Sequence, residues 1–112
     1  MAAEKLITVI LPQGRGMAVL QALYERRVLR AALGTARAPF SYMKGRGMIA
    51  RTVRHWVEKD VLSVVVSAEE AEENFGFLHQ LAGIGDAPGG FMLMGPLARA
   101  SAFSLPPERP SA

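Results

Sequence analysis

The run Val61-Leu62-Ser63-Val64-Val65-Val66 passes without a break into Ser67-Ala68-Glu69-Glu70, and this junction constrains the fold more than any other stretch. Branched side chains at nearly every position favour a strand over a helix. Ser67 with Glu70 three residues on has the pattern of a capping box, the hydroxyl accepting from an early helix amide and the carboxylate reaching back. Ala71, Phe75, Leu78 and Ala82 then recur at helical spacing and predict a helix with one buried stripe. Gly83 to Gly90 is rich in glycine and contains Pro88, so it breaks regular structure before Phe91-Met92-Leu93-Met94 resumes as a strand. Backbone amides bared by glycine beside a helix end suit an anion or a nucleotide.

The first half has the same order of elements. Lys5 to Leu11 reads as a strand closed by Pro12, and Gly14-Arg15-Gly16 as a turn. From Met17 to Arg27, apolar residues at Val19, Leu20, Leu23 and Tyr24 predict a helix. Val28 to Ala38 fits either a helical extension or a short strand, and the topology favours the strand. Phe40 to Gly47 has no usable period, so a flexible loop is expected over residues 37–54. Ile49 to Val57 and Val61 to Val66 read as one long bent strand interrupted at Glu58-Lys59-Asp60. Trp56 and Phe40 are expected to pack at the base of the loop. Residues 1–105 make one domain, and 106–112, with Pro106, Pro107 and Pro110, an extended or disordered tail.

Strand–helix–strand repeated twice, with right-handed crossovers, gives an α+β ferredoxin-like fold: a four-stranded antiparallel sheet with both helices on one face. Yet Ile7-Thr8-Val9-Ile10-Leu11 and Val64-Val65-Val66 are apolar at successive positions, as strands covered on both faces are. Each Val, Leu or Ile left in water forfeits roughly 1.5–3 kcal/mol, and several would rival a total stability of about 5–15 kcal/mol. The bare face is therefore expected to pack against other copies of the chain.

Cysteine is absent, which excludes a disulfide framework, a thiol nucleophile and a thiolate metal site. His55 and His79 have no ligand spacing to each other or to a carboxylate pair, so no metal is expected. No run approaches the roughly 18 apolar residues of a membrane span. Met1-Ala2-Ala3-Glu4-Lys5 lacks the start of a secretory signal, and a cytoplasmic location is expected. The net charge of +3 is uneven: basic residues gather between Arg15 and Lys59, while Glu69 to Glu73 is acidic. Gly14-Arg15-Gly16 and Gly45-Arg46-Gly47 each flank a guanidinium with glycines, a way to offer a bidentate fork to a carboxylate or phosphate.

From about Val53 to Pro96 the chain resembles the third strand, second helix, B-loop and fourth strand of the P-II signalling proteins. Ile10-Leu11-Pro12 and Gln21-Ala22-Leu23 with Glu25 resemble that family's apolar strand ending in proline and its Glu-Ala-Leu helix. The resemblance implies a homotrimer of ferredoxin-like subunits with sheets facing inward, and a regulatory protein, not an enzyme. It implies a small effector held between subunits by Gly85, Gly89 and Gly90 of the B-loop, by Lys59, and by Arg37 at the base of the T-loop. It implies a target, a membrane transporter or an enzyme, engaged by the loop carrying Tyr42, Lys44, Arg46 and Arg51. The chain departs from the family where Gly89 and Phe91 stand in place of an acidic residue and a lysine, and Ala38-Pro39-Phe40-Ser41 in place of Gly-x-Gly-Arg. With fewer cations, an adenine nucleotide (AMP, ADP or, less well, ATP) or a small anion such as bicarbonate is the implied effector. No uridylylation of Tyr42 is expected, because its surroundings do not match.

Three other readings share this topology. Acylphosphatases hold phosphate in a loop after the first strand, where this chain has Gln13-Gly14-Arg15-Gly16, but they need a sheet asparagine and the only asparagine is Asn74, in the second helix. RNA-binding sheets stack bases on paired aromatics, whereas these inner strands carry Val, Ile and Leu, so no nucleic acid is expected. A CutA-like trimer has the same architecture.

Overall fold

The computed structural model describes residues 3–44, 51–84 and 90–101. Its elements run β1 (Glu4–Pro12), α1 (Gly16–Glu25), β2 (Ala31–Lys44), β3 (Arg51–Ser67), α2 (Ala71–Leu81) and β4 (Phe91–Pro96). The strands form one antiparallel sheet in the order β2-β3-β1-β4. Ile7, Val9 and Leu11 of β1 and Leu62, Val64 and Val66 of β3 point to one face, where they meet Val19 and Leu23 of α1 and Ala71 and Leu78 of α2 in a single core. Both helices thus cover the same side of the sheet, and the α+β ferredoxin-like architecture expected from the element order is what the chain adopts.

Alternate strand residues point to opposite faces, and the sides differ sharply in burial. Ile7, Val9 and Leu11 are fully buried, while Leu6 and Ile10 on the other face are only half-buried. On β4, Met92 and Met94 pack on the core, whereas Phe91 and Leu93 are 51% and 57% exposed. The side away from the helices is therefore largely apolar and, among the described residues, left partly open.

Three local expectations are corrected. The loop expected over 37–54 is, over its described residues, a ribbon: β2 and β3 stay paired from Arg37↔Glu58 through Tyr42↔Val53 to Lys44↔Arg51. Ladder pairing of backbone groups holds both strands, whose mixed apolar and charged residues show no clean period to read. β3 is likewise continuous through Glu58-Lys59-Asp60, because alternation sends Asp60 to the helix side and Lys59 to the other without a bend. Only half of the capping box forms, since α2 starts at Ala71 with Glu70 at the N-cap and, among the described residues, no bond from the Glu70 carboxylate back to the cap. The half that forms is the hydroxyl's, the Ser67 Oγ accepting the Glu70 N–H at 3.4 Å across the preceding turn, and Glu72 and Glu73 supply negative charge to the first turn.

Candidate functional site

The end of the sheet where β1 turns into α1 holds Gly14 and Gly16 and, near them in register, Arg37 and Lys59. Gly14 has φ +92°, a left-handed conformation that glycine adopts freely. Gly16, the first residue of α1, lies so close to Leu33 and Asp60 that a Cβ there would fall 2.9 Å from Asp60 Oδ2. Asp60, 7% exposed, uses that oxygen to accept the Gly16 N–H at 2.8 Å and the Gly14 N–H at 3.0 Å. Since α1 has no side-chain cap of its own, a carboxylate from β3 satisfies its first amide and faces the positive end of the helix dipole. The amides of Gly14 and Gly16 are thus occupied by the protein's own anion. In an acylphosphatase-like reading this is the loop that would have to hold phosphate.

One rung further along the ribbon, Glu58 accepts the Gln13 Nε2–H at 2.9 Å and stands 4.0 Å from Arg37. That ion pair joins two exposed side chains, a class worth about 0–1 kcal/mol at most. Lys59 pairs with Ala36 and Pro12, so it points to the sheet face opposite Arg37 and Glu58. Arg37 and Lys59 are neighbours in register without sharing a face. Gly90 precedes β4 beside Ile10, and a Cβ on it would press on the Ile10 carbonyl oxygen at 3.2 Å and on Ile84 at 3.1 Å.

Gly85, Gly89 and Arg46 lie outside the described residues. Tyr42, Lys44 and Arg51 lie on the ribbon by backbone register, with their side chains outside the described set. Trp56 is a correction: 74% exposed on β3, it does not pack at a loop base. Glu58 and Asp60 were missed as positioning residues, because their partners are 44–46 positions away and no local pattern announces such a bond. No helix among the described residues is long and apolar enough to cross a membrane.

No family model and no curated protein matches the sequence. Solved structures do. B. subtilis GlnK superposes with a TM-score of 0.67 at 11% identity over 87% of each chain, and a B. subtilis GlnK–ATP complex with 0.68 at 11% over 86% of this chain and 85% of that one. Arabidopsis thaliana PII bound to citrate gives 0.62 at 18% over 86% and 78%. CutA from Synechococcus elongatus PCC7942 gives 0.57 at 12% over 87% and 79%. The class of protein defined here is the ferredoxin-like fold in its P-II and CutA form. At these identities the likeness is one of fold.

Proposed function

We propose that this chain is a trimeric, non-enzymatic regulator of the P-II kind, in which a small effector bound between copies sets how the ribbon engages a target. The observation that carries the reading is the apolar sheet face opposite the helices, with Leu6, Ile10, Val61 and Val65 partly open and Phe91 and Leu93 exposed. Burying such a face between copies recovers roughly 25 cal/mol per Å² of apolar surface and brings Lys59, on that same face, toward a neighbouring copy.

The effector is an adenine nucleotide or a small anion such as bicarbonate, held by Lys59, Gly90, Gly85 and Gly89, with Arg37 at the base of the ribbon. Ligands reported for the fold, ATP on GlnK and citrate on PII, support an anion of this kind. The ribbon carrying Tyr42, Lys44, Arg46 and Arg51 meets the target, a transporter or an enzyme, and its response is a population shift that requires the effector to favour one ribbon state.

Sedimentation tests the assembly, and a thermal-shift series with AMP, ADP, ATP and bicarbonate tests the site. A trimer that one of these ligands stabilises, and whose Lys59→Ala variant responds at least tenfold more weakly in ligand concentration, supports the reading. A compact monomer, or a trimer indifferent to all four, overturns it, and the second result matches a CutA-like assembly without this effector. Lys59→Ala is preferred to a substitution at Gly90, where any side chain strains the Ile10 backbone.

A further inference from the structure

The two helices end in the same capping motif, filled differently. Behind α2, Gly83 takes φ +67°, its N–H bonds to the Gln80 carbonyl at 3.2 Å, and the Ile84 N–H bonds to the His79 carbonyl at 3.2 Å. Behind α1, the Arg27 N–H bonds to the Tyr24 carbonyl at 3.1 Å and the Val28 N–H to the Leu23 carbonyl at 2.9 Å. Arg27 has φ +68° and is the only non-glycine with positive φ among the described residues. In this motif the left-handed position belongs to glycine, since a Cβ there crowds the backbone. An arginine kept where glycine serves better implies that its side chain has a use.

Arg27 lines an open cavity of about 290 Å³ between the α1–β2 connection, the end of β3 and the start of α2. Val28, Leu29 and Val66 are among its apolar lining residues, and Arg27, Glu70 and Asn74, with the Arg30–Glu4 pair, among its polar ones. Neighbouring charges are spoken for, Arg26 by Glu73 and Arg30 by Glu4. Among the described residues Arg27 and Glu70 have no ion-pair partner. Asn74 is 3% exposed, and among the described residues its carboxamide has no hydrogen-bond partner. No fully enclosed side-chain oxygen or nitrogen among the described residues is left unpaired, and Asn74 is part of the lining of this cavity.

We propose that this cavity binds a free α-amino acid with an apolar side chain. Arg27 pairs with the carboxylate, Glu70 with the ammonium, and Asn74 hydrogen-bonds the polar end, while the side chain lies on Val28, Leu29 and Val66. A cation and an anion, both exposed and bordering one pocket, suit a zwitterion better than a simple anion, and the volume sits at the low end of ligand pockets, near 300 Å³. The site is distinct from the effector cleft: Glu4 and Ser67 border this cavity, while Lys59 lies opposite Pro12 at the far end of β1, roughly 25 Å away along a strand rising about 3.3 Å per residue.

Calorimetric titration of the full chain with L-leucine, L-valine and L-methionine tests the proposal, alongside 4-methylpentanoate, which lacks the ammonium, and 3-methylbutylamine, which lacks the carboxylate. At least one amino acid binds, and both analogues of leucine bind at least tenfold more weakly than the amino acid. Arg27→Gly is the decisive variant, because glycine fits the left-handed position: its unfolding midpoint equals or exceeds the parent's, while affinity for the amino acid falls at least tenfold. Failure of the parent to bind any of the three amino acids overturns the proposal, as does undiminished binding by Arg27→Gly or equal binding of the analogues.

Discussion

Asp60 Oδ2 accepts the backbone N–H of Gly16 at 2.8 Å, so a carboxylate on the third strand caps a helix that begins 44 residues earlier. The same oxygen holds Gly14. The turn between β1 and α1 and the base of the ribbon are thereby one unit, and the site end of the sheet takes its shape from that bond pair.

Removing the acceptor leaves two amide donors without their partner. Asp60→Ala is expected to lose about 1–3 kcal/mol for unmade buried bonds, which lowers the melting temperature by about 4–8 °C per kcal/mol in a small domain. Asp60→Asn keeps an acceptor oxygen and is expected to lose less. Urea denaturation of the three proteins gives the order, and equal midpoints would contradict it.

Gly16 and Gly76 make a paired test of helix glycines. At Gly16 a Cβ would collide with Leu33 and the Asp60 carboxylate, whereas at Gly76 it meets nothing within 4 Å. Gly16→Ala is expected to destabilise by about 1–3 kcal/mol through overpacking. Gly76→Ala, in the exposed middle of α2, is expected to stabilise by about 0.5–1 kcal/mol. Thermal denaturation reads both signs.

Leu23 and Trp56 separate burial from size. Leu23 is fully buried between α1 and the sheet, and Leu23→Ala is expected to cost about 2–5 kcal/mol. Trp56 is 74% exposed, so within the single chain Trp56→Ala is expected to change stability by no more than about 0.5 kcal/mol. A large loss at Trp56 would mean that assembly or a partner covers it.

Leu93, exposed on β4, tests the uncovered sheet face. In a trimer built through that face, Leu93→Asp buries an unpaired charge, a cost that drives the group out of the interface. Sedimentation of Leu93→Asp at micromolar concentration is expected to show monomer where the parent shows trimer. An unchanged trimer would place the interface elsewhere.

Much of the architecture was legible in local pattern. Leu23 and Val19 on α1, and Ala71 and Leu78 on α2, sit at helical spacing and are buried together, because a helix repeats its face every few residues and the core selects that face. The ribbon was not legible: Arg37↔Glu58 and Lys44↔Arg51 are cross-strand pairs, and strands of mixed residues held by backbone bonds leave no clean hydrophobic alternation. Trp56 was misread for a related reason, since aromatic character alone does not say whether another element will cover a strand position.

The order of amino acids settled, through propensity and apolar spacing, that this chain makes two strand–helix–strand halves around an aliphatic core. Only the folded chain decided that Asp60 would occupy the Gly14 and Gly16 amides, that Lys59 and Arg37 would face apart, and that Arg27 would stand beside Glu70 and Asn74. Those relations join segments distant in sequence, and local preference carries no information about them; they follow from strand register and from where buried polar groups find partners.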